Sequence, residues 1–293
     1  MKMKMKRIIL LSTITVLMFC VACKKDGVYK PKKKISKITH TEKLFSIEEN
    51  WTWDKNLLTQ IQTNYSPSGV SHAIKFSYNS KGQLTRVDSE NFDGTYTLFE
   101  YDKNKLDKIL EYWDNKESYE YKLKYDGKKL LEIVITEFVQ DASIAPMDRQ
   151  SPLAYICSPD MAQTIAENSI AMDKHIQRKA ANLFCTISFE WAGKNISKMT
   201  CDYPGNGKFV YTYTYDDKIN PFNGFLDLNL ANAYQYDYIY KNKNNIKSMV
   251  EEGGNWFASY EYTYEDKWPV AYTKTTTENN ITTTTSYGIV YKK

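Results

Sequence analysis

The chain has 293 residues, and its 39 Lys and Arg against 35 Asp and Glu give a formal net charge of +4. Four basic residues in positions 1–22, where no acid occurs, account for that excess, so the remainder is formally neutral and offers no basic groove for nucleic acid. Cysteine is sparse and lacks any Cys-x-x-Cys or Cys/His cluster, and His40, His72 and His175 lie in unrelated contexts, which excludes a recognisable metal-ligand set.

The first element is a leader. Lys2, Lys4, Lys6 and Arg7 precede an apolar run from Ile8 to Ala22, the layout of a secretory signal rather than of a membrane-spanning helix. It ends in Val21-Ala22-Cys23, which resembles the lipobox where a bacterial lipoprotein is cut and acylated; Cys20 stands where that pattern favours leucine. The resemblance implies lipidation of Cys23 and attachment to a membrane outside the cytoplasm. A flexible basic tether is expected next, over residues 23–44. Between 24 and 37 seven lysines face a single acid, Asp26, and such a run self-repels and has little apolar surface to fold on. Its lysines suit either anionic headgroups or plain solvation.

From residue 45 to 293 the chain reads as one domain built from a recurring unit. Alternating aromatics lead to an acidic or polar step, a turn, then Leu or Ile and a short apolar strand, as in LKYDGKKLLEI and YTYEDKWPVAY. The anchor aromatics are Trp53, Tyr78, Tyr101, Tyr125, Trp191, Tyr215, Tyr240 and Tyr264, spaced by 25, 23, 24, 66, 24, 25 and 24 residues. Alternation of the type Tyr119-Glu-Tyr-Lys-Leu-Lys-Tyr125 is the period of a half-buried strand, and Asp126-Gly127 supplies a tight turn. Each unit is therefore a β-hairpin. Eight in series predict an all-β antiparallel meander of about sixteen strands, forming a large barrel or strongly rolled sheet, because closure removes exposed edges. Tyrosine rather than Leu and Val dominates the patterned face, which favours a barrel in water over one in lipid.

The 66-residue interval holds an insertion at about 138–185. Ser158-Pro159-Asp160 is a helix start, and Met161, Ile165, Met172, Ile176 and Leu183 form one apolar stripe, so one inserted helix is expected there, packed over the sheet end or contacting a ligand. Cys185 and Cys201 flank the turn at Ala192–Asn195; a disulfide between them depends on strand register and stays open.

The leader and the YxYD-type hairpins, with Tyr215-Asp-Asp-Lys-Ile-Asn-Pro-Phe222, resemble a family of Bacteroidetes lipoproteins of unknown function with a porin-like β-barrel fold. The likeness covers nearly all of residues 45–293, and the units also resemble the YD repeats of large secreted shell proteins. It implies a barrel held at the outer membrane, on the cell surface or the periplasmic face. It brings no catalytic residues and no cofactor.

The residues themselves name no reaction: a GxSxG elbow, a zinc-type HExxH pair and a phosphate-binding glycine loop are all missing from the sequence. Asp54, Asp102, Asp126, Asp216 and Glu265 recur once per hairpin, as turn-forming residues do. The reading is a non-enzymatic binding or scaffold module with a glycan or protein partner. The alternative is a hydrolase of polysaccharide or cell-envelope material, with paired carboxylates at the barrel mouth. Trp51, Trp113, Trp256 and Trp268, with Met161 and Met172 of the insertion, are the candidate ligand contacts.

Overall fold

A computed structural model describes residues 26–42, 45–90, 93–138, 182–205, 207–225 and 242–293. They form sixteen strands: β1 (Ile35–Thr41), β2 (Ser46–Asp54), β3 (Leu57–Ser66), β4 (Ser71–Tyr78), β5 (Leu84–Ser89), β6 (Tyr96–Asp102), β7 (Lys105–Trp113) and β8 (Lys116–Asp126) make one half. The other half is β9 (Lys129–Glu137), β10 (Asn182–Ala192), β11 (Asn195–Tyr203), β12 (Gly207–Tyr215), β13 (Ile246–Glu251), β14 (Trp256–Glu265), β15 (Trp268–Glu278) and β16 (Ile281–Tyr291). Each pairs antiparallel with its chain neighbours, and β1 pairs with β16, so the barrel is closed. No helix occurs among the described residues.

Strand alternation sorts the side chains. Tyr121, Leu123, Ile133, Ile135, Ile187 and Met249 point inward and are buried. The intervening residues point out and carry charge: Lys108 bridges Glu100 at 3.3 Å and Glu120 at 3.4 Å, Lys198 meets Glu252 at 3.2 Å, and Lys208 meets Asp202 at 2.9 Å. A membrane-crossing barrel shows the reverse pattern, with an apolar band outside. The described outer wall is therefore built to face water.

Antiparallel order places the turns at two ends. The basal end carries the β2–β3, β4–β5, β6–β7, β8–β9, β10–β11 and β14–β15 turns and the longer β12–β13 connection, and the distal end carries the others. At the basal end the anchor aromatics repeat one contact. Trp53 Nε1 donates to the Ile35 carbonyl at 2.7 Å, Tyr78 to Leu58 at 2.6 Å, Tyr101 to Leu84 at 2.6 Å, Trp191 to Leu130 at 2.8 Å and Tyr215 to Ile196 at 2.6 Å. Each anchor thus ties its strand to the start of the strand just before it in the chain. Asp54, Asp102, Asp126 and Glu265 are exposed in the turns that follow, as expected of turn residues. Tyr78→Phe keeps the ring and removes one tie, so urea unfolding should report a loss of about 1 kcal/mol with an unchanged slope.

Residues 26–42 of the tether expected over 23–44 are seated on the barrel. Residues 35–41 are β1, and residues 26–34 lie as a strap across the basal end. Asp26 N–H donates to Asn104 O at 2.9 Å, its carboxylate accepts from Leu106 N at 3.3 Å, and Leu84 N donates to Gly27 O at 2.9 Å. Gly27 sits at φ 73° against the Tyr101 hydroxyl, a place where a Cβ would collide. The composition of the lysine run hid three apolar anchors: Tyr29, Ile35 and Ile38 are buried. Lys33 and Lys34 keep their charge in place over the Trp268 and Trp53 rings, at 5.9 Å each.

A second departure concerns the Tyr240 unit. Its anchor lies outside the described residues, but its returning segment, now β13, pairs directly with β12 of the Tyr215 unit. The described hairpins thus number seven, and β16 with β1 completes sixteen strands.

Candidate functional site

The two ends of the barrel differ in chemistry. The basal opening is stoppered by the Asn-Pro-Phe segment between β12 and β13. Asn220 and Asn223 donate to the Asn242 carbonyl at 3.1 and 2.7 Å, and Asn242 Oδ1 accepts from Ile196 N at 2.7 Å. That turn drives Phe222 and Phe225 into the core; Phe225 packs 4.7 Å from Tyr29 and 5.0 Å from Trp51, on the far wall. Tyr29 seals the contact by donating to the Pro221 carbonyl at 2.7 Å. What remains beside Pro221, Tyr262 and Tyr272 is a cavity of about 20 Å³, the room of one water.

The distal interior is polar. A single register row crosses five strands: Thr97 lies opposite Glu111, Glu111 opposite Tyr119, Tyr119 opposite Glu137, and Glu137 opposite Asn182. Thr97 and Glu111 are 0% exposed and Glu137 is 8% exposed. Tyr119 donates to Glu137 Oε1 at 2.8 Å, and Trp113 Nε1 donates to Glu111 Oε1 at 2.7 Å. Two buried carboxylates, each tied to an aromatic donor, line the distal interior with strong hydrogen-bond acceptors among rings.

Across the interior a second polar set continues the lining. His40 on β1 stacks on Tyr287 at 4.9 Å, which stacks on Tyr272 at 4.2 Å and 8°. His40 Nε2 lies 3.1 Å from Glu42, which also accepts from Thr285 at 3.2 Å. Lys274 is buried here, between Tyr260 and Thr285 in register, and burial pushes its ammonium down to about 7 against a partial restoring pull from Glu42. Glu49 accepts from Trp51 at 3.2 Å, while Tyr65, whose hydroxyl is pushed up by burial and by Glu49, meets His72 at 3.3 Å. Burial lowers His72. Among the described residues no group of three or more His, Cys, Asp or Glu could hold a metal ion.

The sequence candidates divide. Trp51 and Trp256 belong to the core and Trp268 is 9% exposed beneath Lys33, so none of these three is open as a stacking platform; alternation could not tell inward from outward at those positions. Trp113 is half-buried at the distal end of β7, beside Glu111. Met161, Met172 and the expected helix lie outside the described residues. Leu183, assigned to that helix, instead belongs to β10 and is exposed opposite Thr136, a strand position the helical spacing concealed. Cys185 and Cys201 are buried and not bridged to each other; Cys201 lies opposite Ile187, two residues past Cys185, so register sets them apart. Sequence reasoning missed Glu111, Glu137 and Lys274. The available signal was a charge in phase with inward apolar residues, as in Ile133, Ile135, Glu137.

No protein-family model matches the chain, and no curated protein matches it in sequence. Among solved structures, a porin-like protein from Bacteroides uniformis superposes with a TM-score of 0.56 at 10% identity, covering 91% of this chain and 100% of its own. A porin-like protein from Bacteroides vulgatus matches with a TM-score of 0.40 at 10% identity, over 88% and 99% of the two chains. The first likeness is one of fold: a porin-like barrel without a shared sequence.

Proposed function

We propose that the chain is an exported lipoprotein, held through Cys23 to the outer membrane, whose barrel is a non-enzymatic module that binds a glycan at its distal end. The observation that carries this reading is the Thr97–Glu111–Tyr119–Glu137 row with Trp113 beside it. Sugar hydroxyls donate to carboxylates and sugar faces pack on aromatic rings, and this end of the barrel brings both together. The row runs into the segment where the 138–181 insertion leaves and rejoins the wall, at Glu137 and Asn182. The basal end, stoppered by Phe222 and Phe225, has no comparable surface among the described residues. The charged outer wall supports a barrel that stands on the membrane rather than in it.

The test is an array of envelope and dietary polysaccharide fragments probed with the protein and with Trp113→Ala. Selective binding that weakens about tenfold, or ~1.4 kcal/mol, in the variant is expected. Equal binding by both proteins removes the distal row from recognition.

The hydrolase reading retains one observation. Glu111 and Glu137 share a row two strands apart, about 10 Å between backbones at ~4.8 Å per strand, a separation from which two carboxyl groups can flank a glycosidic bond. Release of reducing ends from a polysaccharide panel, abolished in Glu111→Gln and Glu137→Gln alike, would establish it over binding alone.

A further inference from the structure

We propose that the basal end of the barrel is a docking face for an anionic bilayer, which holds the molecule upright with its polar distal end outward; this deepens the anchored reading above and rests on it. Two independent observations lead there.

The first is reach. Asp26 is pinned by Asn104 and Leu106 at the β6–β7 turn, and Gly27 by Leu84 at the start of β5. Cys23 lies three residues before Asp26, so an acyl group on it is tied within about 11 Å of the basal rim, at ~3.3–3.6 Å per residue. β8, with 11 residues, runs about 34 Å along the strand at ~3.4 Å per residue, which a barrel tilt of ~40° projects to about 26 Å between the two ends. A lipid at Cys23 therefore cannot bring the distal end to the membrane while the strap is seated.

The second is charge. Each of the six short basal turns exposes a lysine: Lys55, Lys81, Lys103, Lys128, Lys194 and Lys267. Asp54, Asp102, Asp126, Glu265 and Asp266 share some of these turns, but Lys81 and Lys194 have no acid beside them, and Lys105 and Lys129 double the count in two others. The strap adds exposed Lys30 and Lys32, and Lys292 N–H bonds to Lys34 O, which fixes the Lys292-Lys293 terminus at the same end. The distal turns expose Glu90, Asp93, Asp114, Glu252 and Glu278 against Lys116 and Lys208, with Lys75 paired to Glu90 and Lys198 to Glu252, so among the described residues that end has no comparable basic excess. A barrel whose basic excess lies at one end orients in the field of an anionic surface, and the basal lysines reach within a Debye length of about 8–10 Å.

The experiment uses the acylated protein in phosphatidylglycerol–phosphatidylcholine vesicles that carry a headgroup quencher. Cys157→Ser removes one other thiol, leaving buried Cys185 and Cys201, and a fluorophore is placed through Lys128→Cys at the basal end or Asn280→Cys at the distal end. Quenching several-fold stronger at position 128 is expected; equal quenching, or stronger quenching at 280, overturns the orientation. A second arm uses the unacylated Cys23→Ser chain. It should co-sediment with phosphatidylglycerol vesicles but not with neutral ones, lose that binding in high salt, and bind several-fold less with Lys81→Glu and Lys194→Glu together. No preference for anionic vesicles removes the docking face and leaves lipid anchoring intact. Failure of Cys23 to incorporate radiolabelled palmitate overturns the anchor, and the orientation with it.

Discussion

Lys274→Met should stabilise the protein at pH 6 by on the order of 4 kcal/mol, and the gain should shrink towards zero as the pH approaches 10. Burial lowers the Lys274 ammonium to about 7, against an ordinary value near 10.4 in the unfolded chain. Between those values the unfolded state holds a proton that the folded state lacks, so wild-type stability rises with pH across that window. Below pH 7 both states are protonated and the folded state bears the full cost of a buried charge, which Glu42 offsets only in part. Methionine has a similar volume and no charge, so it removes the cost where the cost exists. The groups that face Lys274 are Tyr260 and Thr285 in register and Glu42 through space, with His40 on Glu42. Urea unfolding of both proteins from pH 6 to pH 9 reads the difference; a gap that stays constant over that range would mean that Lys274 does not titrate there.

The second large effect separates core from ligand contact. Trp51→Ala should cost about 3–5 kcal/mol, because the indole is 6% exposed and its removal opens a cavity under the basal stopper. Phe225 at 5.0 Å loses a ring contact, and Glu49 loses the indole donor at 3.2 Å. A tryptophan that serves as an open platform behaves otherwise: its loss abolishes binding and leaves the melting temperature nearly unchanged. Differential scanning calorimetry distinguishes the two, and a shift of less than a degree or so would return Trp51 to the list of ligand contacts.

Much of the barrel was legible because its signal is local. A tyrosine every second residue, a turn and an inward leucine state a hairpin without reference to the rest of the chain. Edge avoidance pointed to a large barrel or a strongly rolled sheet, and the pairing of β1 with β16 makes it a closed barrel. Where the reading failed, composition or spacing outweighed single residues. Seven lysines made 24–37 look like a tether, although Tyr29 and Ile35 in that stretch each bury a side chain. The Tyr240 unit looked like one more hairpin, yet the Asn-Pro-Phe segment before it leaves the meander to fill the basal opening, and among the described residues it is Ile246–Glu251 that returns to the wall and pairs with β12.

The candidate site was less legible for a physical reason. Alternation marks two faces and does not say which is inside, so Trp51, Trp256 and Trp268 were credited with exposure that the core denies them. Glu111 and Glu137 lie 26 residues apart and meet only because Tyr119 is opposite both across two strand pairs. Register, set by the bulges between Glu111 and Tyr112 and between Lys124 and Tyr125, is a tertiary property.

The most direct test of recognition at the distal end compares residues 24–293 with the same chain carrying a short Gly-Ser linker in place of 142–180, both probed on the polysaccharide array. Selective glycan binding by the first, lost in the second while circular dichroism still reports an intact all-β fold, is the predicted result. Equal binding by both chains would take the insertion out of recognition, and no binding by either would contradict a glycan site at that end.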